Sequence, residues 1–273
     1  MPELPEVETI ARRLRDGAGP GSPSLVGMKI SGSRLFWRRT LASPTPREFH
    51  SRIAGQRVKE VRRRGKYIVV DLRSGALLLH LRMGGALEIL PAGTPRSPHC
   101  RLELDLGPRW RLVFCNPRKF GRVWLVVDPE EALGDLGPEP LSPEFTFVRF
   151  DDLLENRRRQ IKPLLLDQRV IAGLGNIYAD ESLHRAGIHP LARADRLSME
   201  RRRKLWRAIR AVLREAIQHE GTTFDSAYNG GAFLPRLRVY QRTGAPCRKC
   251  GRPIERMLVG QRSSHFCPTC QRK

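Results

Sequence analysis

The chain has 273 residues, 40% of them hydrophobic, which excludes a disordered protein and leaves room for two or three domains with cores of their own. It carries 50 Lys+Arg against 28 Asp+Glu, a net charge of +22 with the basic residues spread along its whole length. Such a field attracts polyanions, of which nucleic acid is the usual one, although a solvated surface from a GC-rich or heat-adapted source would have the same composition. An anionic membrane fits less well, because no basic amphipathic helix carries a bulky apolar face. There is no N-terminal apolar signal core and no run of ~20 apolar residues, so a cytosolic protein is expected. Six cysteines in a reducing compartment point to metal and not to disulfides.

The chain opens MPELPEVET, where Leu4, Val7, Ile10, Ala11 and Leu14 keep helical spacing. This predicts a helix over 5–15 with Pro5 in its first turn, ended by the Gly/Pro/Ser run at 17–24. From 28 to 127 the pattern shortens to β-type runs, among them YIVVDL (67–72), ALLLHL (76–81), RLELDL (101–106) and VWLVV (123–127). Alternation between Gly/Pro clusters predicts an antiparallel sandwich or barrel. Cys100 and Cys115 fall in or beside these strands as buried thiols and not ligands. LGPEPLSPEF (136–145) reads as a linker, and beyond it the chain turns helical. Helices are expected from Pro163, after Gly173-Leu174-Gly175-Asn176, and over 199–219 behind a Ser198 cap.

The tail carries Cys247-x2-Cys250 and Cys267-x2-Cys270, sixteen residues apart. Two such pairs are the signature of a tetrahedral four-cysteine site holding one structural Zn2+, and four thiolates leave no open position for catalysis. The intervening residues predict a β-hairpin turning near Val259-Gly260, with Gln261 and Arg262 at an exposed tip.

The other end offers a nucleophile. Met1 precedes a small residue, so its removal leaves Pro2 as the terminal residue, a secondary amine. Its reference pKa of ~8 leaves a usable neutral fraction, and the adjacent helix N-terminus disfavours the cation further. Attack on an aldehyde carbon would give an iminium ion, an electron sink. Glu3 or Glu6 could shuttle protons there. On these residues alone, an ordinary acid-rich helix start after a processed Met-Pro fits somewhat better.

MPELPEVET, RRRGKY (62–67), NPRKFG (116–121), LGPEPLS (136–142), GLGNIYADESL (173–183), AGIHP (186–190) and the terminal cysteine pairs occur in that order. Together they resemble the bacterial formamidopyrimidine-DNA glycosylase family over essentially the entire chain. The resemblance implies a multidomain α+β protein. Residues 1–135 would form a catalytic antiparallel β-sandwich with a flanking helix, 136–237 a helix–two-turns–helix domain, and 238–273 a zinc-finger β-hairpin, with DNA in a cleft. It implies a monomeric, nucleoid-associated enzyme acting on double-stranded DNA with damaged bases or abasic sites. Such an enzyme flips the damaged nucleotide out of the stack, excises 8-oxoguanine or ring-opened purines and cuts the strand by successive eliminations.

In this resemblance Pro2 is the Schiff-base nucleophile, Glu3 handles protons, and Lys66 contacts the lesion region and adjacent phosphate. Arg262 grips phosphates around the flipped nucleotide. Met83, Arg118 and Phe120 match residues that fill the vacated stack; Met and Phe suit a wedge, and Arg can pair with the widowed cytosine. His99, Arg157, Lys162 and Asn176 match DNA contacts. Three departures stand out: Asn116 replaces the usual Asp, removing a carboxylate that could orient Arg118; Arg82-Met83-Gly84-Gly85 replaces Gly-Met-[Ser/Thr]-Gly; and the segment after Thr223 is short, which bears on lesion preference. Two other readings are an endonuclease VIII-like enzyme for oxidised pyrimidines, disfavoured by Leu4, and a lesion-binding protein without catalysis, which would need no Pro2-Glu3.

Overall fold

The computed structural model describes residues 1–222 and 231–272. The chain forms two compact units, residues 1–134 with 220–231, and residues 135–219 with 232–273.

The first unit begins with α1 (Leu4–Asp16), whose Val7, Ile10, Ala11 and Leu14 all enter the core. Glu3 and Glu6 close a reciprocal capping box, and proline falls in the first turn, where its missing N–H is not needed. Then come β1 (Gly32–Leu35), β2 (Leu41–Ser43), α2 (Pro46–Ile53), β3 (Val58–Arg64), β4 (Tyr67–Leu72), β5 (Ala76–His80), β6 (Ala86–Pro91), β7 (Cys100–Asp105), β8 (Trp110–Cys115), β9 (Arg122–Val126) and α3 (Glu130–Leu133). They make a five-stranded sheet, β2-β9-β5-β4-β3, and a four-stranded sheet, β1-β7-β8-β6. Side chains from both sheets and from α1 and α2 share one apolar core, so this is the sandwich with a flanking helix that the strand pattern predicts.

Two details differ from the expectation. Edge strand β2 runs parallel to β9, whereas the other pairs are antiparallel. A helix, α2, interrupts the β-region. Its signal was present in Thr45-Pro46-Arg47-Glu48: Thr45 caps the backbone N–H of Glu48, and Glu48 returns a bond to the N–H of Thr45. Phe49 and Ile53 then enter the core.

The second unit contains α4 (Phe147–Leu154), α5 (Ile161–Leu166), α6 (Asn176–Ala186), α7 (Met199–Gln218) and the hairpin β10 (Glu255–Val259) with β11 (Arg262–Phe266). Ser198 caps α7, which buries Leu205, Ile209, Val212, Leu213 and Ala216 as its periodicity requires. Helix α5 starts two residues before Pro163, so that proline lies within the first turn. The stretch 136–145 is not a loose linker. Phe145 is fully buried, Arg210 Nη1 donates to the carbonyls of Pro140, Ser142 and Phe145, and a Cβ on Gly137 would lie 2.6 Å from the Arg169 carbonyl oxygen. Its prolines shape a packed segment against α7. Among the described residues no helix is long and apolar enough to cross a membrane.

Candidate active site and nucleic-acid interface

In the first unit the chain start is fixed by buried carboxylates. Pro2 is half-buried and Glu3 buried, directly ahead of α1, where the helix dipole favours negative over positive charge. Glu6 Oε2 accepts from the Glu3 backbone N–H at 2.8 Å, while its Oε1 accepts from Thr222 N and Oγ1 at 2.8 and 3.1 Å. Gly221 permits this approach; its φ is +79°, and a Cβ there would meet Glu6 Oε1 at 2.5 Å. Glu6 is thus an anchor for the terminus, a role different from the proton shuttle its position suggested.

Lys66 is buried in the two-residue turn joining β3 to β4, behind Gly65 at φ +57°. A glycine at the first central position is what a type II′ hairpin demands. Burial, reinforced by the cations Arg82 and Lys66, holds nearby His80 down at about 3. Its ring is therefore neutral and accepts at Nδ1 from the Arg82 N–H, 3.0 Å away.

Three loops converge on Asn116. Its side chain is fully buried, donates to the carbonyls of Leu81 (3.1 Å) and Gly84, and accepts from Gly121 N at 3.0 Å. Its own N–H donates to the His99 carbonyl at 2.9 Å. One amide therefore holds the loop of Met83, the loop of Arg118 and Phe120, and the residue His99. Met83 is 41% exposed and Phe120 57% exposed, unusual values for large apolar side chains that the core reading would have buried. Arg118 and His99 are exposed too. The expected part for residue 116, orienting Arg118, is replaced by a tie between backbones. Only an amide can donate to two carbonyls and still accept from Gly121, whereas an ionised Asp could only accept.

In the second unit the hairpin turns at Gly260-Gln261, both at positive φ, which fits a type I′ turn and makes exposed Arg262 the first residue of β11. The next residue is the anchor. The Ser263 carbonyl accepts from Lys162 Nζ at 2.7 Å and from Asn176 Nδ2 at 2.9 Å. Lys162 is 0% exposed and paired with Asp180 at 2.6 Å, so it offers no surface to a phosphate; its expected place among the DNA contacts gives way to holding the strand behind Arg262. Asp180 also accepts from His265 N and Ser264 Oγ, and Glu181 accepts the N–H groups of Arg238, Val239 and Tyr240. Burial raises the pKa of Glu181, opposed by those three N–H groups. Asn176 is half-buried at the start of α6, with its Nδ2 held by the Ser263 carbonyl and its Oδ1 buried, while Arg157 is exposed after α4.

The sulfurs of Cys247, Cys250, Cys267 and Cys270 lie within 4.8 Å of one another. Cys250–Cys267 is 3.5 Å and Cys247–Cys270 is 3.9 Å, against ~3.8 Å for the edge of a tetrahedron with Zn–S bonds of ~2.3 Å. The backbone N–H groups of Lys249 and Cys270 point at Cys247 and Cys267 sulfur at 3.4 Å. These residues fit one structural Zn2+. His184 Nε2, on α6, lies 3.5 Å from Cys247 Sγ. Burial, together with Arg238, Lys249 and Arg242, pushes this imidazole down to about 4, so it is neutral and able to donate to a thiolate.

Residues 1–123 match the formamidopyrimidine-DNA glycosylase N-terminal domain, 136–227 the H2TH domain of the same family, and 244–272 a zinc finger found in FPG and IleRS. The formamidopyrimidine-DNA glycosylase of Protochlamydia amoebophila is 43% identical over 282 residues, covering 100% of both chains. The chain belongs to the formamidopyrimidine-DNA glycosylase family. The Herpetosiphon aurantiacus member is 44% identical over 280 residues, covering 99% of this chain and 100% of its own. A Lactococcus lactis member solved with DNA containing Fapy-dG superposes with a TM-score of 0.91 at 33% identity, covering 100% of both chains. Another Lactococcus lactis structure, with DNA containing an abasic site, gives 0.90 at 33% identity, covering 99% of this chain and 100% of that one.

Within this glycosylase family member, the supporting residues are ones that motif reading passed over, such as Asp180, Glu181 and His184, or gave another part, such as Glu6 and Asn116. Asp180 and Glu181 sit in GLGNIYADESL as two adjacent acids inside a helix that is otherwise almost wholly buried. Adjacent acids on a buried helix require partners, and that was the available signal. His184, Glu6 and Asn116 carried no comparable signal, because their partners come from segments distant in sequence.

Proposed function

We propose that the chain excises oxidised purines, 8-oxoguanine and formamidopyrimidines, from duplex DNA as a bifunctional glycosylase and abasic-site lyase of base excision repair. The observation that carries this reading is the chain start: a proline at the positive end of α1, ahead of a buried Glu3 and fastened by Glu6 to Thr222. Once Met1 is removed, the Pro2 secondary amine attacks C1′, the base departs, and the opened sugar is held as an iminium. Glu3 moves protons at that centre, and Lys66 supplies positive charge toward the adjacent phosphate. Met83, Phe120 and Arg118 occupy the space of the flipped nucleotide, with His99 beside them. In the second unit Arg262, Asn176 and Arg157 contact phosphates. The Arg262 guanidinium supports a leaving phosphate electrostatically. The same reading divides the chain at 135 and 237 into catalytic sandwich, helical domain and finger. The lesion preference expected to depend on the segment after Thr223 falls on residues 223–230, outside the described residues.

Borohydride trapping on DNA with an abasic site tests this directly. Mass spectrometry of the trapped complex should place the adduct on Pro2, and an extension ahead of Pro2 should abolish both trapping and strand cleavage while duplex binding persists. An adduct on an internal lysine would overturn the assignment.

A further inference from the structure

Cys100 and Cys115 are outside the zinc site and take no part in the chemistry above. They are direct partners across β7 and β8. The Asn116 N–H donates to the His99 carbonyl one step along, while the Cys100 N–H turns back to the Ser97 carbonyl. The two cysteines therefore form a non-hydrogen-bonded antiparallel pair, the kind in which facing side chains come closest. In a regular ladder the Cα atoms of such a pair are ~4.5 Å apart, inside the ~4.4–6.8 Å range that a disulfide spans, and here the register shifts by one residue just beyond the pair, between Cys100 and Leu102. Cys100 is buried, but Cys115 is half-buried and open to a small oxidant.

We propose that this pair is a reversible oxidation site, at which hydrogen peroxide converts the two thiols to a cross-strand disulfide at the root of the His99 and Arg118 loops.

The electrostatics assign the order of events. The neighbouring Cys100 thiol and the Ser97 hydroxyl, with Arg101, act against burial to hold Cys115 down at about 7, while the Cys115 sulfur and burial push Cys100 up, its Sγ directed to Leu102 O and Glu103 Oε1 at 3.7 and 3.6 Å. A large thiolate fraction thus sits on the more accessible sulfur at neutral pH, the condition for reaction with peroxide. The Cys115 thiolate attacks one peroxide oxygen, the O–O bond breaks, and Cys115 sulfenic acid and hydroxide form. The hydroxide takes the Cys100 proton to form water, and the Cys100 thiolate attacks the Cys115 sulfur, forming the S–S bond and expelling hydroxide from the sulfenic acid. The sum is one thiolate, one thiol and one H2O2 giving one disulfide, one water and one hydroxide. Two equivalents of a small thiol reverse it. Because the strands already hold the backbone at a compatible separation, Cys100 resolves the sulfenic acid before a second peroxide can carry it to the irreversible sulfinic acid.

The test uses the full-length, zinc-loaded protein treated with one equivalent of hydrogen peroxide, alkylated and digested without reduction. The expected product is a peptide pair linked through Cys100 and Cys115, with zinc content unchanged and full return to free thiols after dithiothreitol. In Cys100→Ser, folded by circular dichroism, still zinc-loaded and given two or more equivalents of peroxide alongside wild type, Cys115 should pass to sulfinic acid that dithiothreitol does not reverse. Oxidation confined to the four finger cysteines, or wild-type Cys115 reaching sulfinic acid as readily as in Cys100→Ser, would overturn the proposal.

Discussion

The loops of the sandwich unit and the finger hairpin of the helical unit solve one problem with opposite chemistry. Each presents exposed side chains on a short turn, Met83, Arg118 and Phe120 in one and Arg262 in the other. Each turn is held from beneath by a buried polar group. In the sandwich that group is a neutral amide, Asn116, bonding only to backbone. In the helical unit it is an ion pair, Lys162–Asp180, with both side chains 0% exposed, and a metal adds to it. A neutral anchor leaves little behind when it is removed, whereas half of a buried ion pair leaves an uncompensated charge. The finger should therefore fail abruptly and the loops of Met83 and Phe120 gradually.

The largest effect separates the two regions outright. Cys250→Ser should release zinc, since a structural site of this kind contributes on the order of 10 kcal/mol to the segment it folds. We expect DNA binding to be lost through disorder around Arg262 while the sandwich keeps its β-type circular dichroism. Binding of abasic-site DNA equal to wild type would show that the finger takes no part in the grip.

Next in size is the ion pair. Asp180→Ala strands the Lys162 ammonium and leaves the N–H of His265 without its acceptor. The expected loss is about 3–5 kcal/mol, read by urea unfolding of zinc-loaded protein. Replacing the pair by Lys162→Met with Asp180→Leu should recover only part of this, because that N–H stays orphaned. Full recovery would mean that the ion pair and not the backbone acceptor is what Asp180 contributes. A loss below ~1 kcal/mol in Asp180→Ala would remove the contrast between the regions.

The same contrast explains what sequence reading could reach. Helix α1, the strands from 58 to 126, α7 and the cysteine tetrad were legible because each rests on local periodicity or spacing. Lys162 was misplaced for a physical reason. A lysine in a basic chain looks like a phosphate contact, and only the acid eighteen positions later, one face of α6 away, shows it to be buried. Asn116 looked like a lost carboxylate for Arg118, since nothing local reveals that residues 81 and 84 lie against it. The 136–145 segment looked like a linker because prolines carry the same signature in loose and in packed turns. What escaped was tertiary pairing, in which each partner is unremarkable alone.

The neutral anchor comes third. Asn116→Ala frees the carbonyls of Leu81 and Gly84 and the N–H of Gly121, and should cost about 1–3 kcal/mol without unfolding the sandwich. Its clearer mark should be functional. Trapping of single-stranded abasic DNA should be nearly unchanged, while processing of duplex lesions falls, because in the proposed reading Met83 and Phe120 fill the stack only in a duplex. Equal losses on both substrates would place Asn116 at the chemistry instead of beneath the loops.

The smallest effect concerns what the held loop reads. Arg118 is exposed and its loop is fixed through Asn116 and Gly121, so its guanidinium can meet the base left unpaired by flipping. Cytosine offers O2 and N3 as acceptors, whereas adenine offers N1 beside an N6–H donor that repels a guanidinium. One such pairing is worth ~1–3 kcal/mol, roughly ten- to a hundredfold. We therefore expect 8-oxoguanine opposite C to be cleaved well ahead of 8-oxoguanine opposite A, and Arg118→Ala to level the two while slowing both. Because the amide of Asn116 ties backbones and does not orient the guanidinium, Asn116→Ala should loosen the discrimination less than Arg118→Ala does. The two variants, compared on the two opposite bases, separate the reader from its support. If wild type already treats C and A alike, Arg118 is a phosphate contact and the wedge loop fills space without reading it.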